Sequence, residues 1–88
     1  MAYSLDFSRQ AKSEIDFYKK SGNKPVLKKL LVLLKEISDH PYQGTGKPEA
    51  LRHELTGLWS RRINREHRIV YEVKEDSVLI HSVSGHYE

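Results

Sequence analysis

The chain has 88 residues, no cysteine and a net charge of +3 at pH 7, with a pI near 9.2. That length fits one domain over 1–88 with a modest core, and the missing cysteine excludes disulfides and cysteine-ligated zinc. No apolar run approaches the roughly 18 residues needed to span a membrane. With no apolar segment after a basic start, the residues fit a cytoplasmic protein with an anionic partner: nucleic acid, a ribosome or an acidic protein.

Tyr3, Leu5 and Phe7 alternate with Ala2, Ser4 and Asp6, which predicts a short first strand. Ser8 suits an N-cap, and residues 9–20 suit a helix with Ala11, Ile15 and Tyr18 facing a core. Gly22 marks its end. Asn23 and Pro25 suit the start of a second helix, because proline lacks only a donor that the first turn leaves unpaired. Leu27, Leu30, Leu31, Leu34 and Ile37 form its expected apolar stripe, ending near His40-Pro41. Residues 41–48, PYQGTGKP, are a turn-rich loop.

An antiparallel meander is expected next, with strands near 49–55, 58–64, 67–74 and 77–84. Thr56-Gly57, Arg65-Glu66 and Glu75-Asp76 connect them, short enough for hairpins. Ile69, Tyr71 and Val73 share the parity expected to face the helices. Arg68, Val70 and Glu72 share the other. Helices followed by strands predict an α+β fold, with both helices on one face of the sheet and the opposite face free to bind.

The segment from Gly46 to Tyr71 carries Lys47, Arg52, Arg61, Arg62, Arg65 and Arg68, with Glu49 among them. Guanidinium forks match phosphate geometry. A solvated strand face paired to Glu49, Glu54 and Glu66 is the competing reading. RNA is cleaved when its own 2′-hydroxyl attacks the adjacent phosphate. That requires a base, an acid for the leaving 5′ oxygen, and cations for the charge building on phosphorus. Glu49 among arginines is expected to stay ionised and serve as base. His86 suits the acid near neutral pH. Taken singly, Glu49 also reads as a surface loop carboxylate and His86 as a chain-end residue.

His53 and His67 are candidates for phosphate contact, or for ordinary polar contacts. His40 reads as a loop residue and His81 as a packed strand residue. No histidine spacing suggests a metal, and no cofactor is expected. Trp59 and Tyr71 read as core, whereas Tyr87 suits stacking or phosphate contact.

GKPEALRH, then LTGLWSRRINREHRIVYEV and the final HY, resemble the YoeB (Txe) family of bacterial toxins within the RelE/ParE superfamily. The resemblance is strongest over 44–73 and 86–87, and the element order agrees over nearly the whole chain. It implies a RelE-like fold and a type II toxin that cuts mRNA in the A site of the bacterial ribosome. Carried over by motif, Glu49 would be the general base, His86 the general acid, and Arg68 the stabiliser of the phosphorane-like transition state. Arg62 and Arg52 would hold the RNA backbone, with Lys47 and His53 also on the substrate side, and Tyr87 would position the scissile nucleotide. The family commonly has Lys where this chain has Arg52. Ser84-Gly85 stand where members often carry a basic or aromatic residue, and Glu88 extends the usual end.

An acidic, partly disordered antitoxin of the YefM type is the expected inhibitor, since a cationic face must be silenced in its own cell. A homodimer is plausible from the resemblance. The alternative is a non-catalytic ParE-like toxin that binds a protein target such as DNA gyrase. A plain RNA-binding module is the third reading.

Overall fold

A computed structural model describes residues 2–85. In chain order it has β1 (Ser4–Phe7), α1 (Arg9–Lys20), α2 (Lys24–Asp39), β2 (Glu49–Ala50), a 3-10 turn (His53–Leu55), β3 (Trp59–Arg62), β4 (Arg68–Val73) and β5 (Ser77–Ser82). The strands form one sheet in the order β1–β5–β4–β3–β2. β1 runs parallel to β5, and the other pairings are antiparallel. Both helices pack on one sheet face, as the sequence predicts.

Capping follows the sequence closely. The Ser8 hydroxyl accepts the Ala11 N–H at 3.0 Å and donates to the His81 carbonyl at 2.7 Å. One side chain thus ends a helix and ties it to β5. Asn23 accepts the Val26 N–H at 3.4 Å, with Pro25 in the first turn of α2.

The core joins Leu30, Leu33 and Ile37 of α2 to Ile69, Tyr71, Val78 and Ile80 of the sheet. Each such side chain contributes about 1.5–3 kcal/mol on burial. Leu31 is not among them: it is 68% exposed, and Leu33 takes the core position. Residues 30–34 are all Leu or Val, so polarity cannot sort them. The inward line 26-30-33-37 leaves position 31 about 130° off its axis.

The expected strand over 49–55 is much shorter. Glu49 faces Ser60 and Ala50 faces Trp59, and the pairing closes with Leu51 N–H donating to the Leu58 carbonyl at 2.9 Å. His53 then adopts a left-handed φ of 59° and the chain turns, held by Thr56 Oγ1 donating to the His53 carbonyl at 2.7 Å. Local side-chain bonding here replaces the strand ladder. β3 and β4 are also shorter than expected at their shared end. Asn64 Oδ1 accepts the N–H groups of both Glu66 and His67 at 2.8 Å, which builds the turn and breaks the pairing.

Candidate active site

The face of the sheet away from the helices carries the expected cations. Strand parity sends Ser60 and Arg62 of β3, and Arg68, Val70 and Glu72 of β4, to this side. Ser60, Val70 and Ser82 lie across neighbouring strands and are all buried, so Val70 is not the exposed residue its parity suggests. Arg68 leans over this row. Its Nη1 donates to Ser60 Oγ at 3.3 Å and reaches Glu49 Oε1 at 3.4 Å.

Arg62 stands directly opposite Arg68. Facing like charges destabilise a strand pair. Glu49 offsets one of the two, leaving the exposed Arg62 guanidinium to attract an anion. Glu49, Arg52, His53, Ser60 and Arg68 line one cleft of about 570 Å³ with Ala50, Leu51 and Leu55. Lys47 is exposed two residues before Glu49, with its own backbone left-handed at φ 52°. The structure therefore brings Glu49, Arg68, Arg52 and His53 to one cleft, with Arg62 in register beside it. His86 and Tyr87 lie outside the described residues, as does Glu88.

Arg61 departs from expectation. It is fully buried on the helix side, because it shares the inward parity of Trp59 and Ile63. Its Nη2 donates to the carbonyls of His40 (3.0 Å) and Gln43 (3.1 Å), with Pro41 at 3.4 Å. Its Nη1 reaches Glu36 Oε1 at 3.4 Å. The same carboxylate oxygen accepts the Thr45 N–H at 2.7 Å. That bond, reinforced by Arg61, holds the Glu36 carboxyl below its usual pKa. Tyr71 donates to the Pro41 carbonyl at 2.7 Å, and its burial pushes the phenol pKa up. Arg61 thus belongs to a buried clamp on the 41–48 loop and not to the cationic face. Alternation from Trp59 to Ile63 was the signal that marks it.

A second set of bonds holds the segment before His86. Val83 N–H donates to Glu14 Oε1 at 2.7 Å, and Tyr18 donates to the Val83 carbonyl at 2.8 Å. Burial raises the Tyr18 pKa, which favours the neutral, donating phenol. Gly85 N–H donates to His67 Nδ1 at 3.0 Å, and Arg68 N–H donates to the Gly85 carbonyl at 2.8 Å. The backbone of Arg68 is therefore bonded to the residue preceding His86. His67 makes this polar contact and packs edge-on to Tyr18 at 5.5 Å. His81 pairs with Glu72 at 3.1 Å. Ser60, Glu14 and Tyr18 were not singled out as site residues from sequence. Ser60 shares the outward parity of Arg62, whereas no local pattern announces the two helix residues.

Residues 7–87 match the family described as YoeB-like toxin of bacterial type II toxin-antitoxin system. The chain belongs to the YoeB toxin family. Toxin YoeB of Escherichia coli K12 is 47% identical over 70 residues, covering 80% of this chain and 83% of that one. A structure of the YoeB dimer from Staphylococcus aureus matches with a TM-score of 0.88 at 40% identity, covering 99% of this chain and 100% of that one. YoeB in a YoeB-YefM complex from the same organism matches at 0.86 and 41%, with the same coverage. This YoeB-family chain is thus a type II toxin with the α+β fold of its relatives. Among its described residues no helix is long and apolar enough to cross a membrane.

Proposed function

We propose that this toxin is a ribosome-dependent endoribonuclease that cuts mRNA in the A site by acid–base chemistry without a metal, and so inhibits translation in the cytoplasm. The observation that supports it most is the Glu49–Arg68 pair at 3.4 Å on the rim of a basic cleft. Glu49 takes the proton of a 2′-hydroxyl. That oxygen attacks the adjacent phosphorus, and the bond to the 5′ oxygen breaks. The products are a 2′,3′-cyclic phosphate and a 5′-hydroxyl. Arg68 stabilises the charge gathering on the phosphoryl oxygens. His86 protonates the leaving oxygen, and Tyr87 positions the nucleotide.

Arg68 begins bonded to Glu49, so an arriving phosphate must draw the guanidinium away. That exchange frees the carboxylate for the proton it takes. Arg62, Arg52, Lys47 and His53 hold the flanking phosphates. The cognate inhibitor is a YefM-like acidic antitoxin, and the toxin also self-associates as a dimer, readings supported by the Staphylococcus aureus relatives.

Primer extension on a defined mRNA in a purified translation system tests the reading. Wild type is expected to give ribosome-dependent cuts that vanish in Glu49→Ala, Arg68→Ala and His86→Ala. Growth arrest without cuts by wild type would sink the nuclease and point to a protein target such as gyrase.

A further inference from the structure

We propose that Arg61 and Glu36 are positioning residues for catalysis: their buried clamp sets where the 41–48 loop delivers Lys47 and Glu49. This inference rests on the reading of Glu49 as the general base.

The bonds are unusually concentrated. One guanidinium and one carboxylate engage the backbone of His40, Pro41, Gln43 and Thr45. The next residue, Gly46, is bonded through its carbonyl to Arg62 N–H at 2.7 Å. These anchors therefore lie within the seven residues before Lys47, and β2 begins two residues after it with Glu49. Gly46 is pressed against the clamp. A Cβ there would fall 2.6 Å from the Arg62 carbonyl and 2.7 Å from Arg61 Cγ, and its φ is 88°. The loop's apolar anchoring is confined to its first residues, where Pro41 is buried and Tyr42 packs edge-on to Trp59 at 5.0 Å. Without the clamp, the restraints left near Glu49 are the Gly46–Arg62 backbone bond, the two-residue strand β2 and the ion pair with Arg68. A base must sit within hydrogen-bond reach of the proton it removes, so freedom here reduces turnover.

Glu36 is the side on which to test this, because its side chain is 31% exposed and its loss leaves Arg61 its carbonyl partners. Hydrogen–deuterium exchange and steady-state, multiple-turnover cleavage on programmed ribosomes would be measured for wild type, Glu36→Ala, Glu36→Gln and Glu49→Ala. In Glu36→Ala, amides of 44–50 are expected to exchange faster while those of β4 and β5 stay protected. Its kcat is expected to fall about 10- to 100-fold with KM little changed, the scale of a small misplacement of a reacting group. Glu36→Gln keeps an oxygen for Thr45 and should recover most of the loss.

Unchanged exchange over 44–50 in Glu36→Ala would overturn the positioning role. So would faster exchange there with undiminished kcat, provided Glu49→Ala abolishes cleavage. Uniform loss of protection across the sheet would mean that the clamp supports the whole fold and would equally overturn it. Full activity in Glu49→Ala is a different failure, for it removes the base on which the inference stands.

Discussion

Two arginines on adjacent strands each reach a glutamate at 3.4 Å, Arg61 to Glu36 and Arg68 to Glu49. Distance does not distinguish the pairs, but surroundings do. Arg61 is closed off from water and holds three carbonyls besides its carboxylate. Arg68 keeps 21% of its side chain exposed beside a carboxylate that is 62% exposed. A buried cation loses its hydration and depends on the partners around it, here all at the Nη atoms while Nε has none, so it fixes structure. A partly exposed one exchanges partners at less cost, so it suits an incoming phosphate.

The largest expected effect comes from the buried pair. Arg61→Met should destabilise the protein by about 3–5 kcal/mol, because carbonyls and Glu36 are left without their cation. Urea unfolding measures it, and a loss no larger than that of an exposed ion pair would erase the contrast. Arg68→Ala should leave stability within about 1 kcal/mol of wild type. Its cleavage rate should fall about 10²- to 10³-fold, the usual effect of removing one transition-state donor. An Arg68→Ala protein that is unstable yet still cleaves would reverse the assignment of the two arginines.

Tyr18→Phe sharpens the comparison at the other arm of the site. It deletes one bond to Val83 and is expected to cost about 1 kcal/mol by thermal or urea unfolding. The smallest effect concerns pH. The folded pKa of Glu36 lies below its ordinary value of 4.5. Its contribution is therefore fully present above that value and is lost as pH falls through the lower folded value. Glu36→Gln should flatten this part of the acid limb of the stability profile. An acid limb left unchanged by Glu36→Gln in acid titrations of stability would undo the structural half of the comparison.

Much of this arrangement was legible in the sequence, for identifiable reasons. Ser8 and Asn23 announced both helix starts because capping is local chemistry. Arg68 was placed on the free face because strand parity is a short-range rule, whereas Glu49 and Arg62 were singled out by charge and by the resemblance. Leu31 was misplaced because a run of five aliphatic residues carries no polarity to orient it. The 49–55 strand failed because His53 accepts a backbone conformation that its residue type does not advertise. Arg61 was counted with the surface cations on charge, although its neighbours Trp59 and Ile63 set the opposite parity. The bonds from Glu14 and Tyr18 to Val83 join residues far apart in sequence, beyond the reach of any local pattern.

The parallel pairing of β1 with β5 has a consequence in time. Ser4 lies opposite Ser77 and Phe7 opposite Ile80, so the first strand made waits for the last. β5 also lies between β1 and β4. Until residues 77–82 leave the exit tunnel, β1 lacks its partner and β4 lacks one of its two neighbours. Long-range closure of this kind is slow compared with helix formation. Pulse proteolysis of nascent chains halted before residue 77 should find the helical segments accessible and no protected sheet, and protection at that length would refute this order. A nascent chain whose residues 77–82 are still confined therefore carries an open sheet, and the fold closes once that strand is free to pair.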